Sequence, residues 1–412
     1  MNYAQVLFSA LSGMHVGQLR VVLPDGGEKV FGGLGAEPKA ALRVLDPDFF
    51  QACVLRGPVG FGEAYMDGRW ETDDLVGVIA WFIRNADEST VLEGSGRTDV
   101  RIGLMNLAHR LAHKLRPNSR RTSRRNIAEH YDLSNEFFKL WLDPTMTYSS
   151  AYWDHPDATL EEAQIRKYDV LCRKLRLQPS DHVLEIGSGW GGFSMHAARH
   201  FGCCVTTVTI SQAQFDEAKV RIAAAGLADK IDLRLTDYRE LRGHFDKIAS
   251  IEMLEAVGHK YLEPYFAQCH RLLKRQGLLG LQYITCPDAQ YEVLRRGVDF
   301  IQRHIFPGSL LNSIGRVNEA LSRTGDLFLH DLEDMGPDYE RTLHVWRDNF
   351  RAALDQVRAQ GFDERFIRKW DYYLAYCEAG FATRHISVVQ AIYTRANNET
   401  LDLSPRPGRG GA

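Results

Sequence analysis

The chain has seven cysteines in 412 residues, and no two form a Cys-x-x-Cys pair. Their irregular spacing offers neither a disulfide framework nor a zinc signature, so free thiols in a reducing cytoplasm are expected. No run of about 18 uncharged apolar residues occurs, which excludes a membrane-spanning helix. The start, MNYAQVLFSALSG, lacks a basic segment leading into a long apolar run, so no signal peptide is expected. The net charge is only −3, which argues against a general polyanion binder. What the chain does have is apolar material, 44% of its residues, enough for a sizeable core and for two domains.

Three parts follow in order. Residues 1–95 combine short apolar runs with glycine turns at Gly26-Gly27 and Gly32-Gly33. Asp73-Asp74 then opens a helix whose apolar positions recur from Leu75 to Phe82, so a small α+β domain is expected. Residues 96–129 form a basic connector. Leu104, Leu107, Leu111 and Leu115 lie on or near one helical face, and seven Arg or Lys with no acid fall between Arg110 and Arg125. It reads either as a solvated linker or as a basic amphipathic surface for anionic lipid, where each basic residue contributes about 1 kcal/mol. No nucleic-acid reader motif accompanies it.

Residues 130–396 alternate strand-like and helix-like segments: VLEIG at 183–187, CCVTTVTI at 203–210, IDLRLTD at 231–237, FDKIASIEML at 245–254 and LLGLQYIT at 278–285. Such alternation implies an α/β fold, a mostly parallel Rossmann-like sheet covered on both faces, with ligands beyond the carboxyl ends of its strands. The tail, 397–412, is rich in Pro and Gly and is expected to be flexible.

At the end of the first of these strands stands EIGSGWGG, with Glu185, Gly187, Gly189 and Gly191. Glycine permits positive φ and close backbone approach to a ligand. A lone glycine loop also suits dinucleotides, or no ligand at all. The acid inside the strand end, joined to Asp237 and Tyr238 after the third strand, makes the pattern resemble the S-adenosylmethionine-dependent (class I) methyltransferases. The resemblance implies that the glycine turn meets the amino-acid part of the cofactor and Asp237 the adenine amino group. The second strand ends in Thr209, Ser211 and Gln214 rather than in the usual acid. Their hydroxyls and amide can still hydrogen-bond, and Ser211 can also cap the next helix.

Upstream lies HYDLSNEFFKLWLDPTMTYSSAYW, residues 130–153, with seven Phe, Tyr or Trp residues. Aromatic faces stabilise a sulfonium cation, and an apolar wall excludes water from a cationic intermediate. With VTISQAQ, IFPG at 305–308 and YYLAYCEAGF at 372–381, this segment resembles the cyclopropane fatty acid synthase family over residues 130–396; GEAYMDGRW resembles the amino-terminal domain of its longer members. The resemblance implies methyl transfer from S-adenosylmethionine to the double bond of an unsaturated phospholipid acyl chain, giving a cyclopropane or a methyl- or methylene-branched chain. It further implies a homodimer; the free thiols point to the cytoplasm, the basic connector to a peripheral anionic membrane surface, and no nucleic-acid partner is expected. Tyr148 and Ser149 fall at the cofactor pocket by motif, whereas Phe137, Phe138 and Trp141 read as core.

In that family a bound bicarbonate is thought to remove the last proton. Carried over by position, its cage becomes Ser150, Glu255, Gln282, Ile284 and Tyr339. Three positions depart from the family: Ser150 stands for a Cys, and Ala256 and Gln282 stand for histidines. Two expectations stay open, bicarbonate held by these five residues or Glu255 itself as base. Glu252 is expected to support the site, His259 to substitute in part for the missing imidazole, and His130 to orient the pocket or pack in the core. Alternative readings are a small-molecule amine N-methyltransferase and a non-enzymatic lipid-binding module. The connector, the amino-terminal domain and Tyr339 favour lipid over amine; the glycine loop, Asp237 and Glu255 favour an enzyme.

Overall fold

Residues of the amino-terminal part wrap a small sheet before the larger one begins. The computed structural model describes residues 1–86 and 133–401. The connector at 96–129, His130 and the tail from 402 onward lie outside the described residues. Helix α1 (Tyr3–Leu11) precedes β1 (Gln18–Val22), β2 (Glu28–Gly32) and β3 (Lys39–Val44). Helix α2 (Asp48–Met66), broken at Gly57-Pro58, leads to β4 (Trp70–Glu71) and α3 (Leu75–Arg84). The strand order is β2-β1-β3-β4. Asp74 caps α3 by accepting from the Gly77 N–H at 2.8 Å, which satisfies a donor that the first turn leaves unpaired.

The larger sheet comes from the alternating segments. Helices α4 (Asn135–Lys139) and α5 (Leu160–Lys174) precede β5 (His182–Ile186). Then come α6 (Gly192–His196), β6 (Cys204–Thr209), α7 (Gln212–Ala224), β7 (Ile231–Leu235), β8 (Phe245–Ile251), α8 (Leu262–Leu272) and β9 (Leu273–Thr285). Helix α9 (Phe300–His304), β10 (Leu327–Asp334), α10 (Gly336–Ala352), α11 (Glu364–Ala382) and β11 (Ser387–Arg395) complete the parts used below. The seven strands run β10-β11-β9-β8-β5-β6-β7. The five from β9 to β7 are parallel; β11 runs against them, and β10, antiparallel to β11, runs with them. This is the expected α/β class. The order reverses at β5, between β8 and β6, and a crevice opens there beyond the strand ends.

The end of β8 differs from the sequence expectation. The segment expected to run from 245 to 254 stops at Ile251, and Glu252 turns out of it at φ 48°. A single 3-10 turn, Leu254–Ala256, follows. The two glutamates are thus not on one strand, and the turn brings both to the same side.

The amino-terminal sheet shares its core with α11. Trp70, Tyr65 and Tyr372 are buried together. The Tyr65 Oη donates to Asp371 Oδ2 at 2.9 Å, and Arg368 Nη2 donates to the Trp70 carbonyl at 2.8 Å. Removing one such aromatic from a core costs about 3–5 kcal/mol, so α11 ties this part of the chain to the wall of the crevice. Glu63 on α2 accepts from Arg303 and His304 on α9 at 3.1 and 3.0 Å, a second tie to an element lining the crevice.

Candidate active site

The crevice holds a cavity of about 330 Å³. Its first end is made by consecutive strand ends. Gly187, Gly189 and Gly191 have φ of 96°, 49° and 90°, the left-handed region in which a Cβ is strained. The N–H groups of Gly187 and Ser188 both donate to the Val208 carbonyl, at 3.0 and 2.9 Å, which pins the loop to β6. Glu185 is buried below the loop and accepts from Thr207 Oγ1 at 2.5 Å. Burial raises its pKa to about 8.

Around this loop the expected residues divide. Thr209 and Gln214 line the cavity, and Thr209 Oγ1 donates to Gln214 Oε1 at 2.9 Å. Ser211 caps α7, accepting from Gln214 N at 3.3 Å, and is not part of the lining. Asp237 and Tyr238 do line it. The Asp237 carboxylate accepts from Arg239 Nε and Nη2 at 2.8 and 2.6 Å, so an adenine amino group placed here would share it with a guanidinium. Tyr148 and Ser149 also line the cavity. Tyr148 Oη is 2.9 Å from Tyr373 Oη, and Ser149 Oγ accepts from the buried Lys167 Nζ at 2.6 Å. Phe137, Phe138 and Trp141 are fully buried in an aromatic cluster behind it.

The second end is assembled from distant elements. Glu252 lines the cavity, its N–H donating to the Gln282 carbonyl at 2.7 Å. Its Oε1 accepts from the Ser150 N–H and from Gln282 Nε2, both at 2.8 Å, and its Oε2 accepts from Tyr339 Oη at 2.8 Å. Gln390 on β11 orients the Gln282 amide by donating to its Oε1 at 3.1 Å. Ala151 N donates to Thr342 Oγ1 at 3.1 Å, tying the segment after Ser150 to α10, which also carries Tyr339. Burial raises the pKa of Glu252, while Gln282, Lys167, Ser150 and Tyr339 act against that rise. Lys167 falls to about 7 because burial outweighs its three acidic neighbours, Glu252 first.

Glu255 stands three residues on. Its Oε1 accepts from the Ile284 N–H at 2.5 Å, and its Oε2 is buried without a hydrogen-bond partner. Burial first, and the Glu252 charge second, raise its pKa to about 8. A charge on Glu252 thus disfavours ionisation of Glu255. Three donors and Lys167 favour the charged form of Glu252, whereas Glu255, with one donor and a pKa raised to about 8, favours its protonated form at neutral pH.

The structure therefore brings Glu252, Glu255, Ile284 and Tyr339 to the cavity wall, while Ser150 and Gln282 sit fully buried one layer behind. His259 is elsewhere: its Nδ1 is 2.8 Å from Tyr291 Oη, and it is not in the lining. It cannot take over from the imidazole that Ala256 lacks. Ile284, Ile301, Phe306, Leu310 and Phe381 give much of the remaining wall an apolar surface, and Asp299, Gln302 and Ser309 add polar groups to it. Sequence reasoning missed Lys167, a lysine on an amphipathic helix with no motif around it. It also missed the weight of Glu252. Among the described residues, no cluster could hold a metal ion and no helix is long and apolar enough to cross a membrane.

Residues 118–391 match the family model described as mycolic acid cyclopropane synthetase. The tuberculostearic acid methyltransferase of Mycobacterium tuberculosis is 38% identical over 392 residues, 90% of this chain and 86% of that one. The cyclopropane-fatty-acyl-phospholipid synthase of Escherichia coli K12 is 36% identical over 373 residues, 90% of this chain and 91% of that one. A solved mycolic acid cyclopropane synthase complexed with SAH and CTAB superposes with a TM-score of 0.62 at 33% identity, covering 66% of this chain and 98% of that one.

Proposed function

The chain belongs to the mycolic acid cyclopropane synthetase family and is an S-adenosylmethionine-dependent methyltransferase, and from that premise we propose that its acceptor is the double bond of an unsaturated fatty acyl chain. We take the acyl chain to be that of a membrane phospholipid, reached at an anionic membrane surface on the cytoplasmic side, and the product to be a cyclopropane chain. The observation that carries the acceptor is the cavity itself. A cofactor loop at one end and a carboxyl pair at the other are joined by a wall whose apolar stretch, Ile284, Ile301, Phe306, Leu310 and Phe381, suits an acyl chain. The basic run from Arg110 to Arg125 supports the membrane surface.

Gly187, Gly189 and Gly191 let the backbone approach the cofactor, and Glu185, Thr209, Gln214, Asp237 and Tyr238 supply polar contacts. Bound there, the cofactor supplies an electrophilic methyl on a sulfonium. The Tyr148 and Tyr373 rings face the cavity where that cation would lie, and aromatic faces favour cations. The apolar wall holds the acyl chain and keeps water from the positive charge that develops on it. At the transfer end, Ser150, Gln282, Ile284 and Tyr339 hold Glu252 and Glu255.

Bicarbonate, which the family resemblance implied, does not fit this site. Ser150 N, Gln282 Nε2 and Tyr339 Oη already donate to Glu252, and Ile284 N donates to Glu255. The Ser150 hydroxyl donates to the Ala151 carbonyl at 3.0 Å. A second anion would find its donors engaged and a carboxylate beside it.

The acceptor is tested by incubating the full chain with S-adenosylmethionine and monounsaturated phosphatidylglycerol vesicles, and reading the lipid by mass spectrometry. A gain of one CH₂ per acyl chain is expected. Turnover of an amine panel without turnover of lipid would move the reading to an N-methyltransferase.

A further inference from the structure

Glu252 has the features of a built-in base, and resting on the acyl-chain reading above, we propose that its carboxylate removes the proton from the transferred methyl group, in the place the family gives to a bicarbonate ion. The donors that would hold that ion converge on this side chain instead. Ser150 N and Gln282 Nε2 reach Oε1, and Tyr339 Oη reaches Oε2. They come from the segment before α5, from β9 and from α10, so the carboxylate is fixed from three directions before substrate arrives. A carboxylate offers about four acceptor sites. Three donors leave one, on Oε2, and Glu252 lines the cavity.

The backbone supports the same assignment. A glutamate at φ 48° sits in the left-handed region that non-glycine residues avoid. Its N–H bond to the Gln282 carbonyl at 2.7 Å holds it there. The turn takes the side chain out of the β8 line, and Glu252 lines the crevice. Strained positions of this kind collect at working sites.

Charge decides between the two glutamates. Glu255 keeps its proton at neutral pH and cannot accept another. Three donors and Lys167 favour the carboxylate form of Glu252 against the cost of its burial, and Glu255 has one donor. The step then balances. One alkene carbon bonds to the methyl carbon as the methyl–sulfur bond breaks, its electron pair staying on sulfur. The positive charge passes to the other alkene carbon. Glu252 takes a proton from the methyl, the C–H pair closes the third bond of the ring, and Glu252 becomes a neutral acid that returns its proton to solvent after product leaves.

The test uses the full chain, S-adenosylmethionine and monounsaturated phosphatidylglycerol vesicles, in buffer stripped of carbon dioxide and in the same buffer with added bicarbonate. The wild type is expected to turn over at the same rate in both. E252Q should lose about 100-fold or more in kcat, the scale of a missing general base, with S-adenosylmethionine binding unchanged by calorimetry. E252G should be as slow and should recover with added bicarbonate or formate, which would refill the released donors. A wild type that stops when bicarbonate is removed would overturn the assignment without any variant. So would an E252Q with kcat within a few-fold of wild type, or an E252G that is fully active without added anion. A wild type that binds cofactor but methylates no lipid would overturn the acyl reading itself, a result distinct from an active E252Q.

Discussion

At the cofactor end of the cavity, the residues come from neighbouring strand ends: Glu185 in β5 and three glycines after it, Thr209 closing β6 and Gln214 after it, Asp237 and Tyr238 after β7. At the transfer end, one carboxylate gathers donors from Ser150, Gln282 and Tyr339, which span 189 residues of chain between the first and the last. The first end is a set of local turns brought side by side by a parallel sheet. The second exists only when α10 and β9 are both docked. Binding and proton removal should therefore come apart under mutation.

Beyond the Glu252 variants, the largest separation should come from Asp237. D237N is expected to weaken S-adenosylmethionine by about 10–100-fold, the worth of a charged hydrogen bond, while kcat at saturating cofactor stays near wild type. Calorimetry and a saturation curve read the two quantities. Y339F should do the reverse. Losing one of three donors to Glu252 should lower kcat by about 10-fold and leave cofactor affinity alone. If Y339F moved affinity as much as D237N, the two ends would not be separate.

E255Q should have a smaller effect, because its amide imitates the protonated acid that Glu255 is at neutral pH. A fall in kcat of only a few-fold is expected, with the Ile284 N–H still satisfied by the amide oxygen. Stability sharpens this. The Glu255 pKa is raised to about 8 from 4.5, so the folded chain binds more protons than the unfolded one between these values. Wild-type stability therefore falls as pH rises through that window, each unit of raised pKa being worth about 1.4 kcal/mol. E255Q escapes this loss, so its melting midpoint should exceed wild type at pH 8, and the gap should close below pH 4.5. The smallest effect belongs to H259A, which touches Tyr291 and neither end. Its kcat should stay within about 2-fold of wild type in the lipid assay.

Much of the cofactor end could be read from the chain alone. Strand–helix alternation and a glycine loop after an acid are local patterns, and three glycines at positive φ are a local backbone need. Ser211 was legible too, since a serine before a helix is an ordinary cap. The transfer end was only half legible. Its residues could be named by resemblance to family motifs, but their partners could not. Glu252 reads as a supporting acid while its strand is taken to run on to residue 254. That reading changes once β8 stops at Ile251 and the chain turns left-handed. His259 looks like a spare imidazole in the sequence because it is four residues from Glu255; the fold gives it to Tyr291.

The sequence by itself determined the α/β class, the cofactor loop and the family, because each rests on residue types in contiguous order. Only the tertiary structure decided which of two glutamates three residues apart has its carboxylate form supported. That depends on how many donors reach each carboxyl and how little water does, and the donors arrive from parts of the chain that no local pattern connects.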